Sequence, residues 1–291
     1  MEMSLQAKAV RHEVIDLSGL HPVGRRPPLP AYLLQLWQRR HFIRADSRAR
    51  VAGSTRQLVL GNAWLVLKPL LDASAYALIF GLVLRSDRGI DNFLGYLVVG
   101  VFMFQFTARC VTSGANAVVG GSSLIKNFLF PRAALPIGAI LRETMSMVPV
   151  LVTMVVLIVA MPPHAVVTWR WLLFPLVFAL QLVFNLGLAF IAARLVSHVR
   201  DLTHLISVLL RFWLYGSAVF YTFDRFVEYP AVVTVLELNP MFLVLDVSRA
   251  LLLYGVTPPL DQWLLLSAWA AVALLVGFVF FWRGEESYGR A

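Results

Sequence analysis

The chain has 291 residues, 59% of them hydrophobic and only 14% charged, with a formal net charge of +9. That is more apolar surface than a soluble domain of this length can bury, so the composition excludes an ordinary globular protein and indicates a polytopic membrane protein. The basic excess does not indicate nucleic acid, because ten Lys and Arg crowd the first 56 residues, where they suit anchoring and orientation on a membrane.

Residues 1–30 are polar, carry Pro22, Pro27, Pro28 and Pro30, and lack a continuous apolar core. They are expected to form a flexible cytosolic leader rather than a secretory signal. From Ala31 to Ser47, Leu33, Leu36, Trp37 and Ile43 fall on one helical side and Arg39 and Asp46 on another, with Phe42 misplaced. This predicts an amphipathic helix lying on the inner leaflet, followed by a linker to residue 57; a solvated basic helix is the alternative.

The first predicted span runs from Leu58 to Leu84 and holds Lys68 and Asp72 four residues apart, on one face, as a candidate ion pair. The second covers Phe93 to Val111, with Arg109 near enough to its end to snorkel. The third runs from Ala134 to Met161 and carries Arg142 and Glu143; the fourth, Trp169 to Ala193, opens on an interfacial tryptophan pair. The fifth, Leu202 to Tyr221, contains Arg211 and an aromatic cluster. An intramembrane pair between Glu143 and Arg211 would either line a polar path or lock helices together. Two apolar pieces divided by Asn239-Pro240 are each too short to cross and suit re-entrant helices before the last span, Asp261 to Trp282, and a tail over 283–291.

With the amino terminus inside, sixteen Lys and Arg flank the spans on the inner side against five outside, which places both termini in the cytosol. The single Cys110 forms no intrachain disulfide, and no Cys/His spacing indicates a metal site. The run Arg200-Asp201-x-x-His204 admits an acid/base or metal reading, but Asp201 is better explained as the cap of the fifth helix. No catalytic residues are assigned. A phosphate-binding G-x-x-x-x-G-K-[ST] loop is absent, so any ATP hydrolysis by that route belongs to another polypeptide.

The segment Gly114 to Glu143, GANAVVGGSSLIKNFLFPRAALPIGAILRE, organises this pattern. A short helix with an apolar edge is followed by Phe130-Pro131-Arg132, a joint between a surface helix and a span. This loop, together with GNAWLVLKPLLDASAYALIFG from Gly61, RDLTHLISVLLRFWLYGSAVFYTFDRF from Arg200 and LNPMFLVLDVSRALLLYG from Leu238, resembles the ABC-2 type permease subunits that export lipid-linked polysaccharides and teichoic acids.

The resemblance implies an all-α polytopic membrane protein whose domain over 58–282 has six transmembrane helices, an amino-terminal interfacial helix, a cytosolic coupling helix and short re-entrant helices. It implies a homodimer in the bacterial plasma membrane that binds two copies of a separate ATPase carrying ATP and Mg. The coupling contact would fall on Leu124, Ile125, Lys126, Phe128 and Leu129. A channel lined by the first, second and fifth spans would draw on Tyr76, Phe80, Phe102, Phe106, Arg211, Phe212 and Tyr215, aromatic faces being suited to sugars. The implied cargo is a polyprenyl-diphosphate-linked glycan of the O-antigen, cell-wall galactan or teichoic acid type. Export of a drug or haem by the same architecture is the nearest alternative, and an integral membrane enzyme acting on lipid-linked sugars is a more distant one.

Overall fold

A computed structural model describes residues 27–54, 61–76, 78–79, 92–127, 130–160, 162, 164–221 and 237–288. Every regular element among the described residues is helical: α1 (Leu29–Gln38), α2 (Arg40–Ser54), α3 (Trp64–Tyr76), α4 (Phe93–Ala115), α5 (Ala117–Gly120), α6 (Ser122–Asn127), α7 (Ala134–Ala160), α8 (Phe174–His198), α9 (Leu202–Tyr215), α10 (Pro240–Leu252) and α11 (Leu260–Arg283). A 3-10 turn over Trp169–Leu173 leads into α8.

Among the described residues, four helical segments are long and apolar enough to cross a membrane: Phe93–Ala115, Ala134–Ala160, Trp169–His198 and Leu260–Arg283. α4 is the central one. Its buried residues lie on all sides, from Gly95 to Ala115, because α7, α8, α9 and α10 pack around it. Phe106 stacks on Phe178 of α8 with centroids 5.1 Å apart, and Gln181 of α8 donates to the Met103 carbonyl (2.8 Å) and Thr107 Oγ1 (2.9 Å). A buried amide bonded across helices in this way fixes register where burial of apolar surface alone cannot.

α8 and α11 make the closest helix crossing. A Cβ on Gly187 would collide with the Ala273 backbone, and one on Gly277 with the carbonyl of Gly187, so only glycine at these two positions permits the approach. Beyond α11 the chain turns back, and Tyr288 stacks on Phe281 at 4.7 Å.

Two predicted elements and one predicted cap differ. The interfacial helix is two helices, broken at Arg39, whose N–H closes α1 by bonding to the Gln35 carbonyl at 3.1 Å. The break removes the conflict over Phe42, since α2 follows its own phase: Ile43 and Ser47 are buried against α7, with Ser47 Oγ donating to the Gly138 carbonyl at 3.1 Å. The fifth helix stops at Tyr215; fourteen residues rise only about 21 Å against a hydrocarbon core of about 30 Å. Asp201 sits at its N-cap position but makes no side-chain capping bond. Of the first predicted span, α3 is described, and the first predicted re-entrant piece lies outside the described residues.

Candidate functional site

α5 and α6 occupy the turn from α4 to α7, at the end of the bundle where α2 also packs on α7. Between these elements lies a cavity of about 270 Å³, lined by Phe42, Asp46, Ser113, Leu124, Phe130 and Arg142 among others. Its polar lining includes Asp46 and Arg50 of α2, Ser113 of α4 and Arg142 of α7. Ser113 Oγ of α4 donates to Glu143 Oε1 of α7 at 2.5 Å, and Arg109 Nε lies 4.0 Å from the second carboxylate oxygen. On the α2 side Asp46 receives Arg50 at 2.9 Å and stands 3.9 Å from Arg142. Around Ser113 and Asp46, three guanidinium groups and two carboxylates thus gather in partly exposed positions.

A second cluster ties α1 and the turn after α11 to the backbone that leads into α7. Tyr32 of α1 is fully buried; its hydroxyl donates to Glu285 Oε2 at 2.8 Å and accepts from the Ala133 N–H at 3.0 Å. The other Glu285 oxygen accepts from the Arg132 N–H at 2.9 Å. One carboxylate therefore caps the first backbone donors of the turn that starts α7, where an anion is favoured. Burial pushes the Glu285 carboxyl above the ordinary carboxylate range, against the lowering effect of its hydrogen bonds to Arg132 and Tyr32, and the same burial raises the Tyr32 and Tyr288 phenols.

The opposite end of the bundle is closed by a fully buried arginine. Arg249 of α10 donates to the carbonyls of Tyr96 (3.2 Å), Ala218 (3.0 Å) and Val219 (3.3 Å), with its Cζ 3.3 Å from the Tyr96 ring centroid. The Tyr96 hydroxyl in turn donates to the carbonyls of Ala218 and Tyr221. Together they hold the turn after α9, where Ala218 takes a φ of 51°, unusual for a residue with a Cβ. Asn239 joins the same turn by donating to Gly216 O at 2.9 Å while its Oδ1 accepts from Trp213 Nε1 at 2.8 Å.

The residues singled out from sequence distribute as follows. Leu124 and Ile125 are on α6 but half buried, Leu124 against the cavity and Ile125 against the cluster around Tyr32. The side chain of Lys126, and Phe128 and Leu129, lie outside the described residues, as do the side chains of Lys68 and Tyr76 and the whole of Phe80. Asp72 accepts from Gln105 Nε2 at 3.0 Å. Phe102 and Phe106 are fully buried in the hydrophobic core, where they pack helices together. Arg211, Phe212 and Tyr215 are exposed on α9. Glu143 does not meet Arg211: its partners are Ser113 and Arg109, and Arg211 makes no ion pair among the described residues.

Sequence reasoning missed Glu285, set aside in a short tail, and Arg249, counted as an outer-loop charge. The spacing of Asp246 and Arg249 on one helical face was the available signal for the second.

A family model described as ABC-2 type transporter matches residues 50–253, more than half of the chain. The chain belongs to the ABC-2 type transporter family. Among curated proteins this transporter is similar to the O-antigen export system permease protein RfbA of Myxococcus xanthus, at 29% identity over 86% of this chain and 93% of that protein. It is also similar to two proteins of the same name from Klebsiella pneumoniae, at 28% and 26% identity over 58% of this chain and 64% of theirs. The matched region of the transporter runs from the end of α2 to the end of α10 and contains α5–α6, the Arg249 knot and the cavity lining other than Phe42, Ile43 and Asp46.

Proposed function

We propose that the chain is the permease subunit of an ATP-driven exporter that moves a polyprenyl-diphosphate-linked polysaccharide of the O-antigen class out of the cytosol. The observation that carries this reading is the pair of short helices α5 and α6 in the turn between two crossings, beside α2, in a chain whose relatives bear the name of O-antigen export permeases. A short helix braced against a cavity converts a push from a partner into displacement of α4 and α7 as rigid bodies, because packed helices move as units.

In this reading α3 and α9 belong to two further crossings, for six in all, and an even number returns both termini to the cytosolic side of the inner membrane. The arginines of α2, with Arg132, Arg194, Arg200 and Arg283, gather on that side. α9 has no buried residue in the protomer and exposes Arg211, Phe212 and Tyr215, which supports a homodimer whose copies face each other across α9 and enclose a channel. Two copies of an ATPase with ATP and Mg drive the cycle from the α5–α6 side. Residues 58–282 make up the transport domain.

The test is co-expression of the tagged full chain with the ATPase encoded beside it, followed by co-purification with and without Leu124→Asp. The expected result is capture of the ATPase by the wild type and loss of capture, with membrane insertion intact, in the variant. Absence of the ATPase from both preparations sinks the reading.

A further inference from the structure

A second, larger recess lies on the outside of the same end of the bundle. It is an apolar groove of about 620 Å³ between the interfacial pair α1–α2 and the crossings α7, α8 and α11. Its walls are Leu33 and Trp37 of α1, Ile137 of α7, Leu186 of α8 and Leu275 and Phe278 of α11. Its polar rim carries Arg40 and Arg44 from the first turns of α2.

The groove is held open from both ends. α1 is pinned by the hydroxyl of Tyr32 to Glu285 and Ala133, and α2 by the Ser47 hydroxyl to the carbonyl of Gly138. Beside these anchors Tyr32, Leu36 and Ile43 pack onto the bundle, and the groove left over is lined by apolar side chains, so it is not polar enough to hold water. The carboxylate nearest the rim on α2, Asp46, is taken up by Arg50 and Arg142. Arg40 lies over the Trp37 ring at 4.7 Å and bonds to the Trp37 carbonyl at 3.0 Å, which holds it beside the groove wall. Neither Arg40 nor Arg44 forms an ion pair among the described residues.

An apolar trough in the acyl region capped by two guanidinium groups at headgroup depth complements one kind of occupant, a lipid with an anionic phosphate head. We infer that each protomer holds one anionic phospholipid of the cytosolic leaflet in this groove, its acyl chain along Leu186 and Phe278 and its phosphate between Arg40 and Arg44. The lipid acts as a wedge that sets the distance between α1–α2 and the crossings. This rests on the membrane placement of α1 and α2 given above, and not on the identity of the cargo.

The test uses the full chain, purified in detergent and supplied separately with dioleoyl phosphatidylglycerol, dioleoyl phosphatidylcholine or a polyprenyl monophosphate, with bound lipid counted by native mass spectrometry. The expected result is one phosphatidylglycerol per chain and no retained phosphatidylcholine. The double variant Arg40→Glu/Arg44→Glu lowers phosphatidylglycerol affinity about thirtyfold or more, from the loss of two cationic contacts at the membrane surface. Leu186→Trp, which fills the trough from α8 and leaves the arginines in place, also displaces the lipid.

Equal retention of phosphatidylcholine, or phosphatidylglycerol binding untouched by either variant, overturns the inference. Preferential binding of the polyprenyl phosphate overturns it as well, by making the groove a cargo site. Because the readout is bound lipid, a chain that holds phosphatidylglycerol but captures no ATPase fails the functional reading alone.

Discussion

The Tyr32 hydroxyl and the Glu285 carboxylate, 253 positions apart, meet at 2.8 Å and enclose the backbone of residues 132 and 133 between them. α1 and the turn after α11 are thereby fastened to the backbone that leads into α7. Tyr32→Phe removes the donor to Glu285 and leaves the Ala133 N–H buried and unpaired, at a cost of about 1–3 kcal/mol. A thermal unfolding scan of the purified chain should show a lower midpoint for Tyr32→Phe, and an unchanged midpoint would mean that the latch contributes nothing to stability.

The same carboxyl sets a pH dependence. Its folded-state pKa is raised above the ordinary 4.5, so the folded state binds the proton more tightly than the unfolded chain. The stabilising contribution is fully present below 4.5 and is lost as pH rises through the elevated folded value. Glu285→Gln should flatten the decline in thermal midpoint above that point while keeping the acceptor for Tyr32. The groups facing the carboxyl are Tyr32, Tyr288 and Arg132.

At the other end, Arg249→Lys should fail to replace arginine. A lysine offers one ammonium where the guanidinium serves three separate carbonyls and stacks on Tyr96. Unpaired carbonyls in the turn around Ala218 should cost about 1–3 kcal/mol each where water does not reach them. Protease sensitivity of the chain between α9 and α10, compared in wild type and variant, reads this directly, with faster cleavage expected in the variant.

Gly187→Ala adds a single methyl to the α8–α11 crossing, where the Ala273 backbone leaves no room for it. The helices must separate along their length, for a destabilisation of about 1–3 kcal/mol. Monodisperse yield on size exclusion should drop for Gly187→Ala, whereas Gly120→Ala, with open space around its Cβ position, should behave as wild type.

Glu143→Gln keeps an acceptor for Ser113 but removes the charge opposite Arg109. If the cavity wall moves with α5–α6 during transport, this variant should lower export by an order of magnitude or so while ATPase capture persists. Assay of exported glycan in a complemented deletion strain checks it; full export would make the cluster a static brace.

How far the sequence reaches can be judged element by element. Hydropathy and the positions of Pro131, Pro136 and Trp169 foretell α4, α7, α8 and α11 to within a few residues, because a crossing must be apolar over its whole length whatever it packs against. The short helix at Ser122–Asn127 and its joint at Phe130 were equally legible, as was membership in the ABC-2 type family.

Side-chain partners were not legible. Phe102 and Phe106 look on paper like any aromatic of a pore, and only the packing of α8 against α4 makes them core. Glu143 has several cations within plausible reach in the sequence, and the choice of Arg109 and Ser113 depends on the relative rotation of α4 and α7. The break at Arg39, the arrest of α9 at Tyr215 and the burial of Arg249 and Glu285 likewise arise from contacts between segments far apart in the chain. What the sequence by itself determined is which stretches are long and apolar enough to cross a membrane and in what order they come, since that depends on transfer of each stretch from water to lipid. The tertiary structure decided which polar groups meet, since a buried charge is settled by the one neighbour that satisfies it, and hydropathy carries no information about neighbours.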